Sequence, residues 1–214
     1  MGSMLCGIDE AGRGPVLGDL VIAGVLCREE DLEYLKGIGV KDSKQLSPRR
    51  RGELFGLITS RCRYHVIRVS PRELDARVGA GISLNELEGR KFGEIINHLG
   101  PEKAYVDCAD VVPENFARYI REVLVSPCTL VVEHSADVTY PIVSAASIVA
   151  KVQRDEGIAR LRERYGEIGS GYPSDPKTQT FLRRWSREEG PYPEFVRRSW
   201  KTASRAMDST LDGF

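Results

Sequence analysis

The sequence lacks several features that would assign it to common protein classes. Its five cysteines are odd in number and include no Cys-x-x-Cys pair, which argues against a disulfide framework and a zinc site. No apolar run approaches the roughly 18 residues that a membrane-spanning helix requires. The formal net charge is zero, from 31 basic and 31 acidic residues, so overall charge does not indicate a nucleic-acid partner. We therefore expect a protein of the reducing cytoplasm that does not bind membranes.

The charge is unevenly distributed along the 214 residues. Residues 177–205 contain eight lysines and arginines but only three glutamates. Such a patch can bind an anionic partner even when the total charge is neutral. The 41% hydrophobic content is typical of a soluble domain with a sizeable core.

The order of secondary-structure signals indicates an α/β protein. Apolar, β-branched stretches predict five strands, at residues 4–8, 16–27, 62–69, 103–107 and 129–133. Ser47 followed by Pro48 predicts a helix start, and Ser83 with Glu86 predicts a capping box. Further helices are predicted at residues 32–35, 113–124 and 141–165. We expect a mixed five-stranded sheet flanked by helices over residues 4–170, and a small helical C-terminal region over residues 171–214.

Four acidic residues stand at predicted strand ends or just beyond them: Asp9, Glu10, Asp107 and Asp137. Ligands of α/β sheets bind beyond the strand ends, so these acids could meet there and would need cations. Carboxylates suit Mg²⁺ or Mn²⁺, and two ions roughly 3.5–4 Å apart can clamp the oxygens of a phosphodiester displacement. The alternative is that each acid is a turn residue that hydrogen-bonds its own backbone. In addition, Asp9 and Glu10 can share a site only if the strand ends there, because adjacent strand residues face opposite sides.

Five sequence motifs stand out along the chain: "GIDEAGRGPVLGDLVIAGV", "VKDSKQLS", "AYVDCADV", "EHSADVTYPIVSAASIVAKVQRD" and "GSGYPSDPKT". They resemble the motifs of the type II ribonucleases H, most closely those of the archaeal single-chain members. They occur in the family's order and span the chain from Ile8 to about Thr178. The resemblance implies an RNase H-like fold and a metal-dependent endoribonuclease of DNA replication and ribonucleotide excision repair, expected to act as a monomer.

The resemblance also implies the substrates and the products. Family members hydrolyse the RNA strand of RNA–DNA hybrids and cut on the 5′ side of single ribonucleotides embedded in duplex DNA. They leave a 3′-hydroxyl and a 5′-phosphate. The matching motifs assign Mg²⁺ or Mn²⁺ binding and catalysis to Asp9, Glu10, Asp107 and Asp137.

The same resemblance assigns recognition of the ribonucleotide to a turn and a tyrosine. Gly12 and Gly14 lack side chains, so their backbone can approach the 2′-hydroxyl, the group that distinguishes RNA from DNA. Arg13 between them is expected also to contact a phosphate. Tyr172 matches a tyrosine that packs against the following deoxyribose and hydrogen-bonds the 2′-hydroxyl of the ribonucleotide. The alternatives are a loop glycine with a surface arginine, and a core or turn aromatic.

Other residues match the family's contacts to the substrate backbone. Lys41, Ser43 and Lys44 belong to the "KDSK" motif, in which lysines serve as point charges for phosphates. Asn85 and Lys151 are similar matches. The alternatives are a solvated loop for "KDSK" and, for Lys151, an ion pair with the acids.

The basic C-terminal region fits a lid over the duplex. The residues that indicate this role include Arg197 and Arg198. Trp185 and Trp200 also fit such a lid, but we prefer the interpretation that they pack the small helices.

The last residues, "DSTLDGF", resemble the sliding-clamp-binding peptide at the end of some archaeal relatives. Leu211 and Phe214 fit the aliphatic and aromatic positions of that peptide, whereas Asp208 stands where glutamine is expected. Aspartate in place of glutamine weakens the polar contact by which such a peptide is anchored to the clamp. The alternative is a frayed terminus.

Two competing functions fit the sequence less well. A non-catalytic nucleic-acid or clamp adaptor with this fold would not need all four acids, and all four are present. A P-loop enzyme requires Lys-Ser/Thr after Gly-x-x-x-x-Gly, but Gly7 and Gly12 are followed by Arg13-Gly14. The sequence therefore favours the nuclease.

Overall fold

The computed structural model describes residues 2–40 and 46–211, with side chains as far as residue 206. Its strands lie in the first two thirds of the chain, with helices between and after them. The strands are β1 (Met4–Ala11), β2 (Leu20–Arg28), β3 (Arg63–Val69), β4 (Lys103–Asp107) and β5 (Thr129–Glu133). The helices are α1 (Leu32–Ile38), α2 (Pro48–Arg61), α3 (Pro71–Gly79), α4 (Leu84–Leu99), α5 (Pro113–Arg121), α6 (Ala136–Thr139), α7 (Pro141–Tyr165), α8 (Pro176–Glu188) and α9 (Lys201–Leu211).

The strands form one mixed sheet in the order β3-β2-β1-β4-β5. β1 is antiparallel to β2 and parallel to β4, and β4 is parallel to β5. The carboxyl ends of β1, β4 and β5 therefore lie at the same edge of the sheet, where α/β proteins bind ligands. The predicted mixed five-stranded α/β sheet is confirmed.

Serine caps start several helices as the sequence predicts. The Ser47 hydroxyl accepts a hydrogen bond from the Arg50 N–H (3.2 Å), and the Ser83 hydroxyl accepts one from the Glu86 N–H (3.1 Å). Helix α3 was not predicted, although Ser70 caps it in the same way and Pro71 follows at the first helical position. The short helix α6 was not predicted either.

Two strand boundaries differ from the prediction. β1 does not end at Ile8 but pairs with β2 as far as Ala11 opposite Val21. β2 begins at Leu20 rather than Val16, because residues 16–19 form a loop in which Gly18 has a φ of +80°. The Val16 N–H in this loop donates to the Gly171 carbonyl (2.7 Å) instead of pairing in the sheet.

The chain forms two compact units. The first consists of Met1–Ala11, Val21–Ile67 and Ser83–Gln153, and the second consists of Gly12–Leu20, Arg68–Ile82 and Arg154–Phe214. The second unit thus combines the C-terminal region with two earlier segments, rather than following one cut at residue 170. No helix of the described residues has the length and apolarity needed to span a bilayer.

Each unit has its own apolar core. In the first unit, alternate residues of β2, such as Val21 and Ala23, share a core with small residues of α7, such as Ala145 and Ala146. In the second unit, Phe181 and Phe195 form an aromatic centre with ring centroids 5.9 Å apart. Trp185 packs against Phe181 there (5.5 Å), as we expected for a residue that joins the small helices.

Candidate active site

The four predicted acids all lie in the first unit, around the carboxyl edge of the sheet. Asp9 and Glu10 belong to β1, and Asp107 is the last residue of β4. The register pairs Ile8 with Val106, so Asp9 and Asp107 come next on adjacent parallel strands. Asp137 lies in α6, which follows β5.

Asp9 is buried beside two other acids. Its side chain is buried, and its Oδ1 accepts a hydrogen bond from the Glu10 N–H (2.7 Å). Burial raises the pKa of Asp9 well above its ordinary value, and the nearby charges of Glu10 and Asp107 raise it further. Our expectation that β1 ends at these acids was wrong, yet the carboxylate of Glu10 still interacts with that of Asp9. Mutual repulsion of this kind favours a bound cation.

Asp107 and Asp137 are connected through the start of α6. The Ala136 N–H donates to Asp107 Oδ1 (2.7 Å), and Asp137 follows Ala136 directly. The Asp137 carbonyl accepts a hydrogen bond from the Ser144 hydroxyl on α7. Ser135, just before α6, has a φ of +56°, a conformation that costs a non-glycine residue about 1–2 kcal/mol. The backbone that carries Asp137 is therefore held by contacts on both sides.

A buried serine connects Asp9 to Lys151. The Ser147 side chain hydrogen-bonds Asp9 and partly offsets the rise in the pKa of that carboxyl. Lys151 Nζ donates to Ser147 Oγ (2.9 Å). Lys151 is thus linked to the acids through a hydroxyl one helical turn earlier on α7. Sequence analysis missed Ser147, and the only signal for it was the run of small residues in "VSAAS".

Of the other predicted substrate contacts, the structure describes Asn85 but not the "KDSK" residues. Asn85, at the start of α4, donates from Nδ2 to Asp110 Oδ2 (2.7 Å), just beyond β4. Asn85 thus contacts the loop that follows the Asp107 strand. Lys41, Ser43 and Lys44 lie outside the described residues.

The chemistry of the donor set suits a divalent cation. Carboxylates converge on the buried Asp9, and hard oxygen donors of this kind are the ligands of Mg²⁺ and Mn²⁺. Within the described ranges, no group of three or more His, Cys, Asp or Glu side chains is arranged to hold a metal ion. Mg²⁺ is typically bound through one or two carboxylates, with waters and substrate phosphates completing its coordination. Asp9 with Glu10 or Asp107 could supply the one or two carboxylates of such a substrate-completed site.

The second unit contains the predicted Gly-Arg-Gly turn. Gly12 has a φ of +89°, and a Cβ on it would lie 2.8 Å from the Asp19 carbonyl oxygen, so both conformation and space require glycine. Gly14 is exposed, and a Cβ there would face the Tyr172 ring, 3.7 Å from Cε1. The structure thus brings Gly14 and Tyr172 together.

Tyr172 is held on one face of its ring and remains partly exposed. Its side chain is 40% exposed, while the Arg154 guanidinium lies over the ring at 5.0 Å from the centroid. The Arg154 side chain also donates to the Ser170 carbonyl. An aromatic ring fixed in this way is suited to pack against a sugar.

The loop before α8 is fixed by Asp175. This carboxylate accepts hydrogen bonds from the N–H groups of Ser170 (2.6 Å) and Lys177 (2.9 Å). These bonds, that of Ser170 foremost, lower the pKa of Asp175 to about 2. The loop that carries Tyr172 is therefore anchored at its start and at the first turn of α8.

Arg197 is buried, which contradicts its assignment to a lid over the duplex. Its guanidinium donates to three backbone carbonyls of the turn loop, those of Gly18 (2.9 Å), Arg13 (3.2 Å) and Gly12 (2.6 Å). Burial lowers the pKa of Arg197 to about 10, so the side chain remains charged at neutral pH. The basic composition of the region concealed this residue, because most of its arginines are exposed.

Comparison with known proteins gives one consistent result. The sequence profile of the Ribonuclease HII family matches residues 6–203. Ribonuclease HII from Pyrococcus horikoshii is 50% identical to the chain, over 98% of each sequence. The crystal structure of ribonuclease H2 from P. horikoshii OT3 has a TM-score of 0.92 and 46% identity, covering 98% of this chain and 100% of that one. The family resemblance of the motifs and the RNase H-like fold are thereby confirmed.

A second solved structure concerns a partner. The PCNA:RNase HII complex from Archaeoglobus fulgidus contains a chain with a TM-score of 0.85 and 48% identity. The similarity covers 92% of this chain and 95% of that one. In that assembly, the relative is bound to PCNA.

Proposed function

Because the chain belongs to the ribonuclease HII family, and so is a ribonuclease H that acts on RNA–DNA hybrids, we propose that it also cuts DNA duplexes at single embedded ribonucleotides. The cut falls on the 5′ side of the ribonucleotide. It leaves a 3′-hydroxyl and a 5′-phosphate, by hydrolysis with two divalent ions.

The observation that carries this proposal is the burial of Asp9 among Glu10 and Asp107. Such a carboxylate is unfavourable unless a cation compensates it, and the carboxylates of these residues and of Asp137 would hold Mg²⁺ or Mn²⁺. When bound, the ions supply the charge that activates water and stabilises the departing oxygen. Ser147 and the Glu10 N–H hold the Asp9 carboxylate in one orientation. Lys151 adds positive charge, linked to Asp9 through the Ser147 hydroxyl.

Recognition of the ribose is assigned to the turn at Gly12–Gly14 and to Tyr172. A Cβ on the exposed Gly14 would meet the Tyr172 ring, so the turn and the ring lie side by side. The turn would contact the 2′-hydroxyl, and the ring would contact the neighbouring sugar. Gly12 follows Ala11 of β1 directly in the sequence, so Asp9, Glu10 and the turn belong to one continuous motif. Arg13 is proposed to contact a phosphate.

The test is cleavage of an end-labelled DNA duplex that contains one ribonucleotide. The wild-type protein should cut it in Mg²⁺ on the 5′ side of the ribonucleotide, and a chelator should stop the reaction. Asp107→Asn should abolish cleavage with duplex binding retained, because the amide oxygen of asparagine can still accept the hydrogen bond from the Ala136 N–H. Cleavage by this variant at the normal rate would contradict the metal assignment.

We also propose that the C-terminal tail binds a sliding clamp. The support is the relative solved with PCNA and the pattern of Leu211 and Phe214. Leu211 ends α9, its side chain is outside the described part, and Phe214 lies beyond the described residues. The cytoplasmic location and the monomeric state expected from the sequence stay predictions.

A further inference from the structure

Arg197 is connected to the recognition turn through both its side chain and its backbone. Besides the three carbonyls that its guanidinium contacts, its backbone N–H donates to the Val16 carbonyl (2.9 Å). We infer that Arg197 is a positioning residue that sets the conformation in which the turn meets a 2′-hydroxyl, and thereby controls the selectivity of cleavage for ribonucleotides. This inference rests on the proposed function.

The contacts of Arg197 fix the direction of the peptide groups in the turn. A trans peptide holds its C=O and the next N–H in opposite directions, and the described chain contains no cis peptide. The Gly12 and Arg13 carbonyls are directed at the buried guanidinium. The N–H groups of Arg13 and Gly14 therefore point away from Arg197. Gly14 is exposed, so a substrate can reach the turn at this residue.

The turn needs such a residue because it is rich in glycine. The loop contains Gly12 and Gly18, both at positive φ, and glycine backbones have more conformations to lose than any others. Without a fixed partner, the peptide planes of the turn could rotate at little cost. Three charge-assisted hydrogen bonds from one buried group restrict them.

Arginine suits the position because of its shape. A guanidinium presents five N–H donors in a rigid plane, whereas an ammonium presents three donors at a single point. Nε, Nη1 and Nη2 of Arg197 reach different carbonyls, which a lysine cannot do from one nitrogen. The guanidinium also lies over the Trp200 ring, 4.9 Å from its centroid, which fixes the plane itself. Asp19 adds an attractive charge nearby.

The experiment compares Arg197→Lys and Arg197→Ala with Arg121→Lys and Arg121→Ala. Arg121 is an exposed arginine on α5, outside the basic C-terminal region, and serves as the control for loss of charge. Each variant is assayed at saturation on a duplex with one ribonucleotide, and for binding to the same duplex made entirely of DNA. Thermal unfolding and hydrogen exchange of the amides of residues 12–18 are measured on the same samples.

We expect Arg197→Lys to lower kcat at the single ribonucleotide on the order of 10²-fold, the loss typical of a reacting group displaced by about 1 Å. Its affinity for all-DNA duplex should stay within about threefold of wild type, because no phosphate contact is removed. The amides of residues 12–18 should exchange faster, with those of β1 and β4 unchanged. The Arg121 variants should match wild type in kcat and in exchange.

Added guanidinium, below denaturing concentrations, should restore part of the kcat of Arg197→Ala, and the same ionic strength of NaCl should not. If Arg197→Ala does not fold, the kcat and exchange of Arg197→Lys provide the test. If neither folds, hydrogen exchange of wild type provides it, since a solvent-shielded Gly14 amide in the free protein would overturn the inference.

Normal kcat and normal loop exchange in Arg197→Lys would overturn the assignment of Arg197 while leaving the proposed function intact. If Arg197→Ala has the kcat of wild type once its folded fraction is taken into account, the assignment is overturned as well. Failure of the proposed function has a different signature, because the wild-type protein itself would then not cut at the ribonucleotide.

Discussion

Gly12 and Gly14 are two residues apart but should respond to alanine in opposite ways. At Gly12, alanine is forced to a φ of +89°, where a side chain costs about 1–3 kcal/mol. Its Cβ would also lie 2.8 Å from the Asp19 carbonyl oxygen, a backbone atom that cannot yield cheaply. At Gly14, φ is not positive and the Cβ meets only the Tyr172 ring, at an ordinary contact distance of 3.7 Å.

The two variants therefore separate stability from recognition. For a chain of this size, each kcal/mol lowers Tm by about 2–4 °C, so Gly12→Ala should melt roughly 4–8 °C below wild type if it costs about 2 kcal/mol. Gly14→Ala should melt within about 2 °C of wild type, since it meets no strain of this kind. Its methyl group narrows the space between the turn and Tyr172, so its kcat/KM at a single ribonucleotide should fall roughly 10–100-fold.

Thermal unfolding by circular dichroism and steady-state cleavage of the single-ribonucleotide duplex give the two numbers. A Gly12→Ala variant that melts with wild type, or a Gly14→Ala variant that cleaves normally, would refute the assignment of the two glycines. Equal losses of stability in both variants would show that the contacts of the turn differ from those described.

Three further outcomes follow from the structure. The raised pKa of Asp9 contributes stability that is present below the ordinary aspartate value, near 4, and is lost as pH rises through the folded-state pKa. In chelator at neutral pH, Asp9→Asn should thus melt above wild type, with the gap closing toward about pH 4; a lower Tm at neutral pH would contradict the buried repulsion. Tyr172→Ala should slow cleavage at a single ribonucleotide more than it weakens binding to plain DNA, and equal losses in the two assays would count against its recognition role. Asp208→Gln should tighten binding of the tail to a sliding clamp, measured by calorimetry against Phe214→Ala, and identical affinities would exclude the tail as the anchor.

Local signals predicted much of the fold, because they act over a few residues. Ser47 and Ser83 each start a helix by accepting a hydrogen bond from the backbone N–H three residues later. Both partners of such a bond are close in the sequence, so the pattern can be recognised without the fold. Ser70 carries the same signal, so α3 could have been predicted in the same way. The ends of β1 and β2 were less predictable, since pairing of Ala11 with Val21 depends on the partner strand.

The residues of the candidate site likewise include some that the sequence predicted and some that it did not. The positions of the acids followed from strand ends and from the family motif. Ser147 and Arg197 act through tertiary contacts that no spacing encodes, and Arg197 contacts Gly12 across 185 residues of sequence. In the sequence it is one arginine among many in a basic region, and only its burial distinguishes it.

The protein is proposed to detect one oxygen atom before it hydrolyses the adjacent phosphodiester. The most direct measurement is single-turnover cleavage of two duplexes that differ only at one sugar, ribose in one and 2′-deoxyribose in the other, in Mg²⁺ and in chelator. We predict that the ribose duplex is cleaved on the 5′ side of the ribonucleotide in Mg²⁺ but not in chelator. The deoxyribose duplex should not be cleaved in either condition. Cleavage of both duplexes at similar rates, or of the ribose duplex in chelator, would contradict this prediction.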